Sequence, residues 1–264
     1  MKQLAGKTAL VTGASSGIGL AMARSLAARG VHLIITARSA DKLHEIAAEL
    51  QKSGVDVRVF RSDLSQKGAP QLLFDQVDKA GLQVDLLINN AGFGKWGEFL
   101  EFNREQYDEM LQLNINALTE LCHLFIPGML RRGAGGIINV GSTGSFVPVP
   151  FAAVYSASKA YVLMFTEALQ GEYGDRGLSI MTLCPGGTDS NFGTVANPDV
   201  KRDIAGYDTA EFVAETGLEA FLDGKLYVIT GSKNKTVALL PRLLSRKRVL
   251  KIIGATWKKR IGRS

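Results

Sequence analysis

Two cysteines among 264 residues, Cys122 and Cys184, are too few and too differently placed for a disulfide framework. The three histidines, His32, His44 and His123, are scattered and none stands near another candidate ligand, so no metal is expected. No apolar run approaches the roughly 18 residues that cross a bilayer. The first residues also lack the apolar segment and small-residue cleavage site of a secretory leader. With 46% hydrophobic residues, enough for a buried core, the expectation is a globular cytoplasmic protein. Acidic residues are missing from one region: none follows Asp223, whereas Lys and Arg occur twelve times between Lys225 and Arg263. The net charge of +6 therefore belongs to the tail, and residues 1–224 carry −6.

What is present alternates. Short apolar, β-branched runs stand at 8–12, 31–37, 55–60, 84–90, 136–142, 178–184 and 225–230. Amphipathic patterns of helical period separate them, among others at 17–29, 41–53, 104–131, 152–175 and 209–223. Near-continuous apolar strands between helices predict an α/β fold, a doubly wound parallel sheet of seven strands with helices on both faces. One domain over 1–240 and a basic tail over 241–264 is the expected organisation. Ligands of such a sheet bind beyond the carboxyl ends of the strands, so the residues there are informative.

The first strand runs into "TGASSGIG". Gly13 suits a tight turn, Gly17 lets a pyrophosphate approach the backbone, and Gly19 lets the next helix pack closely. Further on, "VYSASKAY" places Tyr155 and Lys159 four residues apart, on one face of a helix. By itself that spacing is common on helix surfaces. Taken with "NNAG" (89–92), "LN" (113–114) and "CPGGTDS" (184–190), in order and at strand ends, the chain resembles the short-chain dehydrogenase/reductase family, short single-domain branch. The resemblance covers about residues 5–231.

It implies a Rossmann-type fold and a nicotinamide cofactor. Gly13, Ser15, Ser16, Gly17, Ile18 and Gly19 would form the cofactor turn; Asp63 and Leu64 the adenine-binding pair; Asn90, Ala91 and Gly92 the cleft lining. Pro185, Gly186, Thr188 and Ser190 would meet the nicotinamide, with Ser190 where the family usually has threonine. At the end of strand two no carboxylate stands to hold a ribose 2′-hydroxyl; Arg38 and Ser39 could instead receive a 2′-phosphate, so NADP(H) is expected. Arg38 as a solvated loop residue is the alternative, and Asp63 could also cap a helix.

The resemblance further implies a catalytic set of Asn114, Ser142, Tyr155 and Lys159. Tyr155 would be the general acid/base, Lys159 would bind the nicotinamide ribose and lower the phenol's pKa, Ser142 would hydrogen-bond the substrate oxygen, and Asn114 would hold a water in the proton relay. Phe93, Trp96, Phe146, Phe151 and Phe192, with the loop at about 186–210, are the expected pocket walls and suit an apolar ketone, aldehyde or alcohol. A 3-oxoacyl reductase or hydroxysteroid-type dehydrogenase are alternatives within this chemistry; a non-catalytic NADP(H) sensor or a membrane-peripheral protein are alternatives outside it. The tail has apolar positions near helical spacing among its Lys and Arg residues. It could pack with a solvated basic face, cover the pocket, lie on an anionic membrane surface or meet an acidic partner; no nucleic-acid module accompanies the charge. A homodimer, with a tetramer as the alternative, is the expected assembly.

Overall fold

A computed structural model describes residues 3–200 and 206–262. The strands are β1 (Thr8–Thr12), β2 (His32–Thr36), β3 (Val57–Val59), β4 (Leu86–Asn89), β5 (Gly135–Val140), β6 (Leu178–Cys184), β7 (Thr188–Asp189), β8 (Asp208–Thr209) and β9 (Tyr227–Ile229). Seven of them form one parallel sheet in the order β3-β2-β1-β4-β5-β6-β9, while β7 and β8 pair separately. The order reverses between β1 and β4, where Val11 lies beside Ile88, so a crevice opens there at the strands' carboxyl ends.

The helices are α1 (Gly17–Ala28), α2 (Ala40–Leu50), α3 (Ala69–Lys79), α4 (Arg104–Leu111), α5 (Leu118–Arg132), α6 (Ala153–Tyr173), α7 (Phe192–Ala196), α8 (Ala210–Leu222), α9 (Ser232–Leu243) and α10 (Arg246–Arg260). One face of the sheet buries Met22 and Leu26 of α1, Leu43 of α2 and Phe221 of α8. The other buries Leu73 of α3, Phe125 of α5 and Val162 of α6. Both faces are therefore dry, which is why the strands carry apolar residues at successive positions rather than alternate ones.

The helical pattern at 104–131 is interrupted in the structure. Between α4 and α5 the chain winds more widely, as a π-turn over Gln112–Ala117 that contains Asn114. Such turns occur mostly as single insertions in α-helices and often at functional sites. The extra residue shifts the phase of the helix and turns Asn114 inward, where it is 1% exposed.

A third cluster lies beyond the strand ends. Val249 and Ile253 of α10 are buried there against Trp96, Val147, Val149 and Ala196, with Leu240, Leu244, Trp257 and Ile261 packed around them. Leu243 and Leu250 instead face solvent. The tail thus turns one apolar face onto the body of the protein, leaving its Lys and Arg residues mostly outside. Among the described residues, no helix is long and apolar enough to cross a membrane.

Candidate active site

The crevice is a cleft of about 550 Å³ running along the carboxyl ends of β1, β2, β4 and β5. Its first wall is the turn from β1 into α1. Gly13 and Gly17 have φ of +65° and +55°, a backbone that side chains disfavour. A Cβ on Gly13 would lie 2.8 Å from Asn90 Nδ2, so the turn and the "NNAG" segment close on each other. Asn90 holds that contact by donating through Nδ2 to the carbonyl oxygen of Thr12 at 2.9 Å. Ser15, Ser16, Gly17 and Ile18 line the cleft; Gly19 is buried behind it in α1.

Farther along, Arg38, Ser39, Asp63 and Leu64 border one end. Arg38 follows β2 with no acidic neighbour in "TARS". Its carbonyl accepts from Arg61 Nε at 2.9 Å, which fixes the loop backbone and leaves the guanidinium of Arg38 unengaged by that bond. Asp63 accepts from Ser65 Oγ at 2.7 Å and Ser65 N at 3.2 Å. Burial works against its charge, but the Ser65 bonds and Arg38 prevail and hold its carboxyl below the usual value. Asp63 therefore braces a turn and does not cap a helix, since α3 begins only at Ala69 after Gly68, and it borders the cleft as well.

At the centre stand Ser142, Tyr155 and Lys159. Ser142 leaves β5 in extended conformation and caps a short 3-10 turn, its Oγ accepting from Gly144 N at 3.1 Å. Tyr155 and Lys159 occupy the first turns of α6 on one face. Lys159 is 4% exposed and donates through Nζ to the carbonyl oxygen of Val140 at 2.8 Å. Burial lowers its pKa to about 8. The lowering expected for Tyr155 is absent here. Although part of its ring faces the open cleft, burial pushes the phenol up to about 12, against a smaller downward pull from the Ser142 hydroxyl. The lysine ammonium does not overcome that desolvation; Nζ lies 5.9 Å from the centre of the tyrosine ring.

Asn114 sits behind this group. Its Nδ2 donates to Phe93 O at 2.9 Å and Ser158 Oγ at 3.1 Å, and its Oδ1 accepts from Phe93 N at 3.2 Å. It clamps the strand-four loop to α6. A Cβ placed on Gly92 would lie 2.9 Å from Asn114 Oδ1 and 3.4 Å from Lys159 Nζ, so glycine keeps a gap open between those two polar atoms.

Beyond Tyr155 the cleft becomes aromatic. Phe93, Trp96 and Phe192 line it as expected, with Pro185, Gly186, Thr188 and Ser190 on the facing side. Phe146 and Phe151 do not line it. The 3-10 turn Thr143–Ser145 redirects the chain, and Phe146 packs on Tyr227 of β9 with ring centres 5.5 Å apart. Phe151 adopts φ +66°, unusual for a side-chain-bearing residue, and lies outside the wall. Among the lining residues that went unnamed as site candidates in the sequence are Trp257 and Arg260 of α10, which meet Tyr207 of the expected loop. The spacing of Val249, Ile253, Trp257 and Arg260 marks one face of a helix and was the available signal. Part of the expected loop, 201–205, lies outside the described residues. A second groove of about 530 Å³, beside α2 and β3, contains none of the strand-end residues of the central cleft.

A family model described as short chain dehydrogenase matches residues 7–201. Ketoacyl reductase HetN of Nostoc sp. is 31% identical, with 93% of this chain and 85% of that protein covered. The very-long-chain 3-oxoacyl-CoA reductase of Rattus norvegicus is 29% identical, with 93% and 79% covered. Among solved structures, a short-chain dehydrogenase from Sphingobium yanoikuyae in complex with NADPH is 28% identical with a TM-score of 0.79, covering 95% of this chain and 93% of that one.

Proposed function

Because the chain belongs to the short-chain dehydrogenase family, we propose that it is an NADP(H)-dependent oxidoreductase that interconverts an apolar carbonyl compound and its alcohol. The observation that carries this is the meeting of Ser142, Tyr155 and Lys159 in the cleft that begins at the glycine turn.

The residues present fit such a cofactor. Room at Gly13 and Gly17 and the N-terminus of α1 suit a pyrophosphate, and Asp63 suits the adenine amino group. Arg38 and Ser39 would hold the 2′-phosphate, Lys159 the nicotinamide ribose, and Thr188 with Ser190 the nicotinamide end. When bound, the nicotinamide supplies hydride-transfer chemistry. In the reductive direction Tyr155 gives its phenolic proton to the substrate oxygen, while Ser142 hydrogen-bonds the same atom. A phenol raised to about 12 is fully protonated at neutral pH, ready as an acid. Its proton is replaced through Lys159 and a water seated above Gly92, between Lys159 Nζ and Asn114 Oδ1.

The names of two relatives, ketoacyl reductase and 3-oxoacyl-CoA reductase, favour a second reading in which the substrate is a 3-oxoacyl thioester. Consumption of NADPH, with NADH in parallel, against apolar ketones, aldehydes, ketosteroids and 3-oxoacyl thioesters decides between them. NADPH-selective turnover is expected; nucleotide binding without turnover across the panel would favour a sensor.

Assembly as a homodimer is supported by Met164 and Tyr161, exposed at 69% and 38% on α6, and light scattering tests it. The basic outer face of the tail supports contact with an anionic membrane surface; vesicle sedimentation with and without residues 241–264 tests that.

A further inference from the structure

The cavity ends in a positive charge. Arg260, in the last turn of α10, lines the cleft with Trp257 and Tyr207. Its guanidinium lies 5.0 Å from the ring centre of Trp257, 5.7 Å from that of Trp96 and 5.8 Å from that of Tyr207. One hydrogen bond, from Nη2 to the Tyr207 hydroxyl at 2.5 Å, joins it to a neutral partner. Among the described residues no carboxylate pairs with it, although Glu109 also borders the cleft. A guanidinium has five donors, so most of its capacity is left over. Rings on several sides displace water from the charge, which strengthens its attraction for an anion. Trp96 Nε1, buried in the same cluster, also has no acceptor among the described residues.

A path of rings leads there from the reacting group. Tyr155 touches Phe192 at 5.5 Å between centres, Phe192 touches Trp96 at 6.2 Å, and Trp96 meets Trp257 at 5.4 Å. A ligand whose carbonyl is at Tyr155 would lay an apolar section along Phe192 and Trp96 and present its far end to Arg260.

We propose that Arg260 is a specificity-determining residue that receives a carboxylate at the far end of the substrate, so that the preferred substrates are apolar oxo acids. This rests on the oxidoreductase reading above for the carbonyl end, but the carboxylate end is testable without turnover. The chain has two tryptophans, Trp96 and Trp257, and both stand in this cluster. Their fluorescence therefore reports ligands at this spot.

Dodecanoate and methyl dodecanoate are titrated against the full chain, with and without saturating NADP+. The acid is expected to bind at least tenfold tighter than the ester. Arg260→Gln should remove that preference and Arg260→Lys should keep part of it, because an ammonium retains charge without the bidentate geometry. Lys95→Gln, at another cation of the cleft, and Lys259→Gln, on the outer surface, should leave the preference intact. Equal binding of acid and ester, a preference that survives in Arg260→Gln, or its loss in Lys95→Gln or Lys259→Gln would each overturn the proposal. Dodecyl phosphate bound more tightly than dodecanoate would overturn the choice of carboxylate. Circular dichroism checks each variant; if Arg260→Gln does not fold, an undiminished preference in Arg260→Lys overturns the proposal. Failure to bind NADP+ while the acid preference stands would refute the oxidoreductase reading alone.

Discussion

Lys159 reaches across 19 residues of chain to donate a hydrogen bond from Nζ to the carbonyl oxygen of Val140 at 2.8 Å. The bond fastens α6 to the end of β5 and holds an ammonium in a nearly water-free place. Lys159 also borders the cleft, where ribose hydroxyls would accept from its remaining hydrogens. Burial favours the neutral amine, and this sets how the site should respond to pH.

The folded-state pKa of Lys159 is lowered to about 8, so the ammonium is present below that value and lost as pH rises through it. The phenol of Tyr155, raised to about 12, does not titrate in the same window. Reductive kcat/KM should therefore decline above about pH 8, mainly through a rising KM for NADPH, and Lys159→Met should flatten the profile at a level about tenfold lower or more. A level wild-type profile from pH 7 to about 9.5 would contradict the role given to this ammonium.

Arg38 is expected to separate the two nicotinamide cofactors. A charge-assisted bond to phosphate contributes about 1.5–3 kcal/mol, so Arg38→Ala should raise the KM for NADPH about tenfold or more and change that for NADH by about twofold at most. Equal changes for both would refute the assignment.

The gap above Gly92 is expected to matter for proton return. Gly92→Ala would put a methyl group 2.9 Å from Asn114 Oδ1, where the relay water is placed, and should lower kcat by about tenfold or more while leaving NADPH affinity within about threefold. Unchanged kcat in a folded Gly92→Ala protein, measured at saturating cofactor, counts against that water.

The seat of α10 has an energetic consequence. Ile253 is 7% exposed among the aromatic residues of the third cluster, so Ile253→Ala should cost about 2–4 kcal/mol in urea unfolding. Leu243, 76% exposed, should cost less than about 0.5 kcal/mol on the same change. Similar costs at both positions would mean that the tail does not pack as described.

Much of the sheet was legible because buried strands leave a simple mark. The apolar runs at 8–12 and 178–184 coincide with β1 and β6, and the glycines of "TGASSGIG" announce the turn between β1 and α1. The π-turn at Gln112–Ala117 was not legible, since a one-residue change of helical phase hardly alters the apolar pattern around Asn114. Phe146 and Phe151 were expected in the wall because they stand in the right loop, but a turn and a left-handed backbone position aim them elsewhere. Arg260 was hidden for the opposite reason: as one of twelve basic residues after Asp223 it looked like solvated charge, and only the packing of Ile253 and Trp257 brings it to the cleft.

The most direct test of the central claim is Tyr155→Phe, which removes one hydroxyl and keeps the ring that packs on Phe192. NADPH affinity, read by fluorescence titration, should stay within about threefold, while turnover on the best carbonyl substrate should fall by about a hundredfold to ten-thousandfold. Turnover that persists near the wild-type level in a correctly folded Tyr155→Phe protein would contradict general acid catalysis by Tyr155.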